Sequence, residues 1–144
     1  MQLTRFTKAI FVFVIFDFFM FFILEAIFWM HPFVHDLLLD WFNNPPASLG
    51  YDMHALVLKK LFINQGFYNL FFAIGGISGL WQLRKNKAVG FALILWVCFA
   101  AMGAGLVLAV TSNAYLLAFL QAVPATVAFC RIYPLFKQAT ANKK

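Results

Sequence analysis

The chain has 144 residues, of which 64% are hydrophobic and only 11% are charged. A soluble domain is about 45–50% apolar and about 25% charged, so this composition excludes an ordinary soluble domain and indicates a single packing unit in a membrane. The net charge of +6 does not indicate nucleic-acid binding, because the basic residues lie at the ends of apolar runs. We therefore expect membrane lipid to surround the chain and no nucleic acid to bind it.

Four apolar segments are long enough to cross the hydrocarbon core as helices, which takes about 20 residues. They cover residues 9–30, 55–81, 88–110 and 115–136. Backbone polar groups in lipid must be satisfied within a segment, which favours helices over an open sheet. No small-residue cleavage site follows the first segment, so we interpret it as an uncleaved signal anchor. The sequence predicts one all-α domain over residues 1–144, an integral membrane four-helix bundle.

The longest segment outside the four predicted spans is residues 31–54. Within it, residues 33–42 carry apolar side chains at helical spacing, which predicts a short helix lying in the membrane interface. Residues 43–46, with the sequence Asn-Asn-Pro-Pro, are predicted to end that helix.

Three histidines lie in this segment and raise the question of a metal site. His31 and His35 are four residues apart, a spacing that suits one face of a helix, and Asp36 follows directly. A metal site needs convergent ligands, and nothing in the sequence brings His54 close to the others. We therefore predict no metal ligands, and the absence of any cofactor motif predicts no cofactor.

Basic residues lie almost entirely at one end of the predicted bundle. Only Lys59 and Lys60 lie at the opposite end. Because cytoplasmic loops of membrane proteins carry an excess of Lys and Arg, this asymmetry predicts a multi-pass protein with both termini in the cytoplasm. The other nine of the eleven basic residues define that end: Arg5, Lys8, Arg84, Lys85, Lys87, Arg131, Lys137, Lys143 and Lys144.

Two carboxylic acids, Asp17 and Glu25, lie inside the first predicted span. At about 100° and 1.5 Å per residue they are about 80° and about 12 Å apart, on one broad face. Ionisable residues at membrane depth are costly, so both are candidate catalytic residues. Because no cation at that depth is available to pair with them, we predict that both are protonated and that each donates a hydrogen bond to an amide oxygen.

Polar side chains of the second and fourth spans fall at a similar depth. Those of the second span are two pairs at i,i+4 spacing on adjoining stripes, which predicts one polar face. At 1.5 Å per residue, Asn64, Gln65 and Gln121 lie within about 7–15 Å of the outer boundary, and so does Glu25. This common depth predicts a pocket that opens outward, although the same residues would also suit hydrogen-bonded cross-links between helices. The candidate ligand-binding residues are Asn64, Gln65, Tyr68, Asn69 and Gln121.

Three motifs resemble those of the small bacterial membrane proteins grouped as the domain of unknown function 1304 family. Residues 64–69 are similar to that family's Asn-Gln-Gly-x-Tyr-Asn, residues 24–29 to its Leu-Glu-x-x-x-Trp, and residues 121–125 to its Gln-x-x-Pro-Ala. The resemblance covers about residues 10–135, while residues 17–18 stand where the family has Glu-His. It implies a bacterial inner membrane protein in which the candidate residues act as a set, and it supplies no activity.

Three functions are compatible with these features. The leading hypothesis is a site that binds or processes a small hydrophobic or lipid-like molecule, with Glu25 as proton donor. An enzyme of this kind would perform acid/base chemistry, since no cofactor motif is present. The alternatives are a proton-coupled exporter and a non-catalytic subunit of a membrane complex. Small-residue pairs such as Gly75 with Gly79 and Ala101 with Gly105 predict close helix contacts, either inside the bundle or between protomers of a homo-oligomer.

Overall fold

The structure, a computed structural model, describes residues 2–42 and 48–141. Helices are the only regular secondary structure within those residues. The predicted helix end at residues 43–46 lies outside the described residues. Over the described residues the chain forms five α-helices, with one π-helical turn directly after the first. Their bounds are Arg5–Phe22 for α1, Ile23–Ile27 for the π-helical turn, Pro32–Phe42 for α2, Tyr51–Gln82 for α3, Lys87–Thr111 for α4 and Tyr115–Ala141 for α5.

Short polar side chains fix the starts of two of the helices. The Thr4 side chain accepts a hydrogen bond from the backbone N–H of Thr7 at the start of α1. The Asn86 side chain accepts one from the backbone N–H of Val89 at the start of α4. Each bond satisfies one of the N–H groups that have no partner within the first turn of a helix.

Within the described ranges, three helical segments are long and apolar enough to cross a membrane: Arg5–Ile27, Lys87–Thr111 and Tyr115–Ala141. Large apolar side chains cover their outer faces, and Val110, for example, is 83% exposed. Such a surface would be unfavourable in water and is consistent with a membrane protein. α3 is not among the three, because the polar side chains within residues 64–69 lower its mean hydropathy.

Small residues let the helices approach closely. A Cβ atom on Gly79 of α3 would lie 3.3 Å from the carbonyl oxygen of Gly90 in α4. A Cβ atom on Gly105 of α4 would lie 2.8 Å from the Cβ of Ala122 in α5. These two members of the predicted small-residue pairs therefore make their contacts inside the bundle.

The main core lies between α1, α3, α4 and α5. Phe11 and Phe18 of α1 are buried against Ile94 and Cys98 of α4 and Ile132 of α5. All five side chains are at most 2% exposed.

A second buried cluster joins the π-helical turn, α2 and α3 at the other end of the bundle. Trp29 stacks on Phe62 with ring centroids 3.7 Å apart, and its Nε1–H donates to the carbonyl oxygen of Ala55 over 2.9 Å. Leu38 and Leu39 of α2 complete the cluster. α2 is therefore docked against the bundle and not free of it.

Two hydrogen bonds at the C-terminal end of α2 fix its position. The backbone N–H of Asn113, in the turn between α4 and α5, donates to the carbonyl oxygen of Trp41 over 3.1 Å. The Tyr51 hydroxyl, in the first turn of α3, donates to Asp40 Oδ1 over 2.5 Å, and this bond raises the pKa of Tyr51. The C-terminal end of α2 thus lies at the same end of the bundle as the turn between α4 and α5.

Candidate functional site

Glu25 lies in the middle of the π-helical turn and is fully buried, with 0% of its surface exposed. The π-helical geometry is visible in the bond from the N–H of Phe28 to the carbonyl oxygen of Ile23, five residues back. Single π-helical turns inside helices occur frequently at functional sites, because the wider turn redirects the side chains it carries. Here the wider turn carries the carboxyl group.

Two amide side chains of α3 bind the Glu25 carboxyl group. Gln65 Nε2 donates to Oε1 over 3.2 Å, and Asn69 Nδ2 donates to Oε2 over 2.8 Å. The partners of Glu25 are amides, as predicted. However, the amide nitrogens donate to the carboxyl oxygens, whereas we predicted that the carboxyl group donates to an amide oxygen. Rotating an amide group by half a turn exchanges its donor and acceptor, so the same pair can serve a charged or a neutral carboxyl group.

The Glu25 carboxyl group has no cationic partner among the described residues. The ion pairs found within that part of the chain involve His35, Asp36 and Asp52, at the start of α2 and of α3. A fully buried carboxyl group held only by neutral amides is energetically costly unless it is protonated or binds a further polar group. This combination distinguishes Glu25 from an ordinary structural residue.

Gly66 allows the amides to reach the carboxyl group. A Cβ atom added to Gly66 would lie 2.9 Å from the backbone nitrogen of Ala26 and 3.2 Å from the Cβ of Glu25. Real Cβ atoms do not approach a backbone nitrogen so closely, so a glycine is required for α3 to lie directly against the π-helical turn. The positions on either side of this contact, Gln65 and Asn69, then face Glu25.

A partly open cavity of about 450 Å³ lies beside the carboxyl group, between the π-helical turn, α3, α4 and α5. We call it the Glu25 cavity. Gln121 of α5 is 7% exposed and reaches the same space from the opposite side. The predicted residues that line the cavity are Glu25, Gln65, Asn69 and Gln121, and its other walls are Phe21, Phe42, Ala104, Val107, Leu108 and Thr111.

Two other predicted residues of α3 lie outside the cavity. Asn64 and Tyr68 are exposed, Tyr68 by 56%, and neither lines the Glu25 cavity. The two i,i+4 pairs therefore do not form one working face: Gln65 and Asn69 turn towards Glu25, whereas Asn64 and Tyr68 turn away. Successive residues of a helix are about 100° apart, which is enough to separate neighbouring stripes in this way.

Asp17, the second candidate acid, also lies apart from Glu25. It lines a separate and almost wholly apolar cavity of about 120 Å³ between α1, α2 and α5. Leu24, Leu37 and Trp41 are among its walls. The structure therefore does not bring the two carboxyl groups into one site.

His31, His35 and His54 do not form a metal centre: among the described residues, no group of three or more His, Cys, Asp or Glu side chains could hold a metal ion. His35 is 1% exposed, with Nε2 3.4 Å from Asp52 Oδ1 and Nδ1 2.8 Å from Asp36 Oδ1. The contact with Asp36 has ion-pair distance but not hydrogen-bond geometry. The contact with Asp52 joins α2 to the first turn of α3.

The apolar walls of the Glu25 cavity were not among the predicted residues. Ala104, Val107 and Leu108 lie in α4, where Thr111, the last residue of the helix, is the one polar residue that also lines the cavity. Their spacing of one helical turn is compatible with several faces of a helix that is apolar all round. Thr111 alone, at the end of the helix, is not enough to identify them from the sequence.

Comparison with known proteins supports a single assignment. No curated protein and no solved structure matches the sequence. A family described as "protein of unknown function (DUF1304)" matches residues 12–133, a range that contains α3, α4, the π-helical turn and every polar residue of the Glu25 cavity. The predicted resemblance is confirmed, and the chain belongs to the DUF1304 family.

Proposed function

We propose that the chain crosses the bacterial inner membrane four times, with α3 as the additional span and both termini in the cytoplasm. α3 has 32 residues, so at 1.5 Å per residue it is about 48 Å long, which exceeds the roughly 30 Å hydrocarbon core. Two of the polar side chains that lower its hydropathy are bonded to Glu25 and so are not exposed to lipid as free groups. Lys8 and Arg84 line one common cavity, which supports a location of the N-terminus and the turn between α3 and α4 on the same side.

In this orientation α2 lies at the outer surface. Its buried face, which includes His35 and Leu38, packs on the bundle, whereas Phe33 is 72% exposed. A helix with one docked face and an exposed aromatic side chain near its start suits the outer membrane interface. The Glu25 cavity then lies on the outer half of the bundle, beneath α2.

The Glu25 cavity in this proposal binds a small hydrophobic or lipid-like molecule that has one polar group. The observation that carries the proposal is a fully buried Glu25, held by two amides, at the wall of a cavity of about 450 Å³. Ligand sites typically have volumes of about 300–1,000 Å³ and combine apolar walls with a few convergent polar groups. A set of residues serving only to cross-link helices would not need a void beside it.

The polar and apolar walls of the cavity divide the recognition of such a ligand. Gln121 and Glu25 approach the space from α5 and from the π-helical turn, so a polar group between them would receive hydrogen bonds from two sides. Phe21 and Leu108 offer apolar contacts for the remainder of the molecule. The cavity therefore fits an amphiphile better than a fully polar solute.

The opening of the cavity favours access from lipid. Gln65 of α3 and Ala104 of α4 are exposed although they line the cavity, and Val107 is 58% exposed. α3 and α4 are in close contact at Gly79 and are separated by the cavity nearer the outer end. A hydrophobic molecule would enter sideways through this gap, from the outer leaflet.

If the bound molecule reacts, Glu25 is the group that would transfer a proton. It is the single ionisable side chain among the residues that line the cavity. A carboxyl group within hydrogen-bond reach of a polar group can act on it as a general acid or a general base. The amide pair would keep the carboxyl group in place in both protonation states.

The proposal is tested by mass spectrometry of the full chain purified in mild detergent. We expect a co-purifying amphiphile with the wild type, and its loss from Glu25→Gln and from Gln121→Leu. Glu25→Gln keeps the size of the side chain and removes its ability to supply a proton, whereas Gln121→Leu leaves Glu25 intact.

Asp17→Asn is the matched control, because Asp17 is also an acid in the apolar first helix but lies outside the Glu25 cavity. We expect Asp17→Asn to retain the bound molecule. Gel filtration of each variant identifies any that fails to fold. A wild type free of ligand, or equal loss from Asp17→Asn and Glu25→Gln, would contradict the proposal.

A further inference from the structure

A larger cavity, of about 740 Å³, lies at the opposite end of the bundle from the Glu25 cavity. The segment before α1, the first turn of α1, the end of α3 and the start of α4 form its walls. Three cations line it, Lys8, Arg84 and Lys87, and we call it the basic cavity. It shares no lining residue with the Glu25 cavity.

The positive charge of the basic cavity is not balanced by the residues that line it. The chain has five acidic residues, and none of them is among the lining residues. Three like charges around one space repel one another, so the arrangement is stabilised when an anion occupies that space. Lys87 is also the first residue of α4, whose N-terminal end carries a partial positive charge that favours an anion.

Apart from Gln2, the remaining walls of the basic cavity are apolar. Trp81 is 53% exposed, and Leu80 and the buried Phe91 lie beside it. A fourth cation, Lys85, is outside the cavity, with Nζ 3.9 Å over the Trp81 ring. A positively charged rim beside exposed aromatic and aliphatic surface matches a molecule that has an anionic group and an apolar part.

We infer that the basic cavity binds a phosphate-bearing anion. Lys8, Arg84 and Lys87 contact the phosphate oxygens, since guanidinium and ammonium groups form charge-assisted hydrogen bonds with phosphate. Trp81 and Leu80 contact the adjoining apolar part. In the proposed orientation the cavity lies at the cytoplasmic surface, where both an anionic phospholipid headgroup and a soluble phosphate compound offer this chemistry.

The test measures binding to the full chain in a neutral detergent by titration calorimetry. The probes are short-chain phosphatidylglycerol, short-chain phosphatidylcholine and inorganic phosphate. The combined variant Lys8→Gln, Arg84→Gln and Lys87→Gln removes the three lining charges. Each basic residue near a lipid headgroup contributes about 1 kcal/mol, so we expect phosphatidylglycerol to bind this variant about a hundredfold more weakly than the wild type.

The matched control removes three charges elsewhere: Lys59→Gln, Lys60→Gln and Lys137→Gln. These residues are exposed and do not line the basic cavity. The control therefore changes the net charge equally, and we expect its affinity to stay within about threefold of the wild type. Equal weakening in both combined variants would attribute binding to overall charge and would overturn the inference.

The three probes distinguish the sources of the phosphate group. Binding of phosphatidylglycerol that inorganic phosphate does not displace identifies a membrane lipid, whereas binding and displacement by inorganic phosphate identify a soluble anion. Equal affinity for phosphatidylcholine and phosphatidylglycerol, with no binding of inorganic phosphate, would overturn the inference. If the combined variant does not fold, Arg84→Gln alone should weaken binding about fivefold, and an unchanged affinity in that variant would overturn it as well.

Discussion

At the scale of single residues, the Glu25 cavity depends on a contact made by Gly66, which has no side chain. Gly66 sits where α3 meets the π-helical turn, and the added Cβ of an alanine would lie 2.9 Å from both the backbone nitrogen and the Cβ of Ala26. Backbone cannot move aside as the end of a flexible side chain can, so α3 would have to shift as a whole. The hydrogen bonds from Gln65 and Asn69 would lengthen with it.

We therefore predict that Gly66→Ala lowers the free energy of unfolding by about 1–3 kcal/mol, the usual cost of overpacking. Thermal unfolding of the purified chain in detergent measures the change. Gly103→Ala is the control, because nothing lies within 4 Å of the added Cβ there. Alanine is the better helix former, so Gly103→Ala should leave the stability unchanged or raise it by up to about 1 kcal/mol. Equal effects of the two substitutions would show that the contact at Gly66 is unimportant.

At the scale of helices, the π-helical turn and α2 act as one unit because Trp29 joins them to α3. Trp29 is 1% exposed, stacks on Phe62 and donates a hydrogen bond to the Ala55 carbonyl oxygen. Leu38 and Leu39 of α2 pack into the same cluster. Two contacts with α3 thus fix the position of Glu25. Gly66 lies against the π-helical turn itself, and the Trp29 cluster packs on α3 four residues further along the chain.

Removing the Trp29 side chain should release this end of the bundle. Replacing a buried Trp by Ala costs about 3–5 kcal/mol, so we predict a loss of that order for Trp29→Ala, together with faster proteolysis of α2. Trp96→Ala is the control, since Trp96 also stacks on an aromatic ring, Phe99, but is 59% exposed. Trp96→Ala should change the free energy of unfolding by less than about 1 kcal/mol. Limited proteolysis and thermal unfolding compare the two variants.

At the scale of the whole molecule, hydropathy was sufficient to predict all-helical structure with helices apolar enough to cross a membrane. It was not sufficient to predict which polar side chains of α3 face Glu25, because that depends on the rotation of the helix about its axis. The buried small residues of α3 indicate this rotation, because they mark the side of the helix that packs on the bundle. Measured from Gly66 at about 100° per residue, Asn69 and Gln65 lie about 60° and 100° away, whereas Asn64 and Tyr68 lie about 160° away.

The remaining features depend on packing that no local pattern encodes. The π-helical turn inserts one extra residue into an otherwise continuous apolar helix, and nothing in the composition of residues 23–27 marks it. Between Lys87 and Thr111, its two end residues, α4 is apolar on every face, so the side that lines the Glu25 cavity is selected mainly by its contacts with α3 and α5. Asp17 and Glu25 were grouped because they share a broad helical face, but α2 docks beside Asp17 and gives it different surroundings.

The proposed topology places the N-terminus and the turn between α3 and α4 on one side of the membrane, and the turn between α4 and α5 on the other. Single cysteines at these positions, introduced by Gln2→Cys, Lys85→Cys and Asn113→Cys after replacing Cys98 and Cys130 by Ala, report their side. We predict that a membrane-impermeant maleimide labels Asn113→Cys in intact spheroplasts and labels Gln2→Cys and Lys85→Cys only after lysis. If α3 does not cross the membrane, Gln2→Cys and Lys85→Cys will be labelled from opposite sides, because α1 alone would separate them. Since the basic cavity contains residues from both segments, that result would also be incompatible with the packing of α1 against the end of α3.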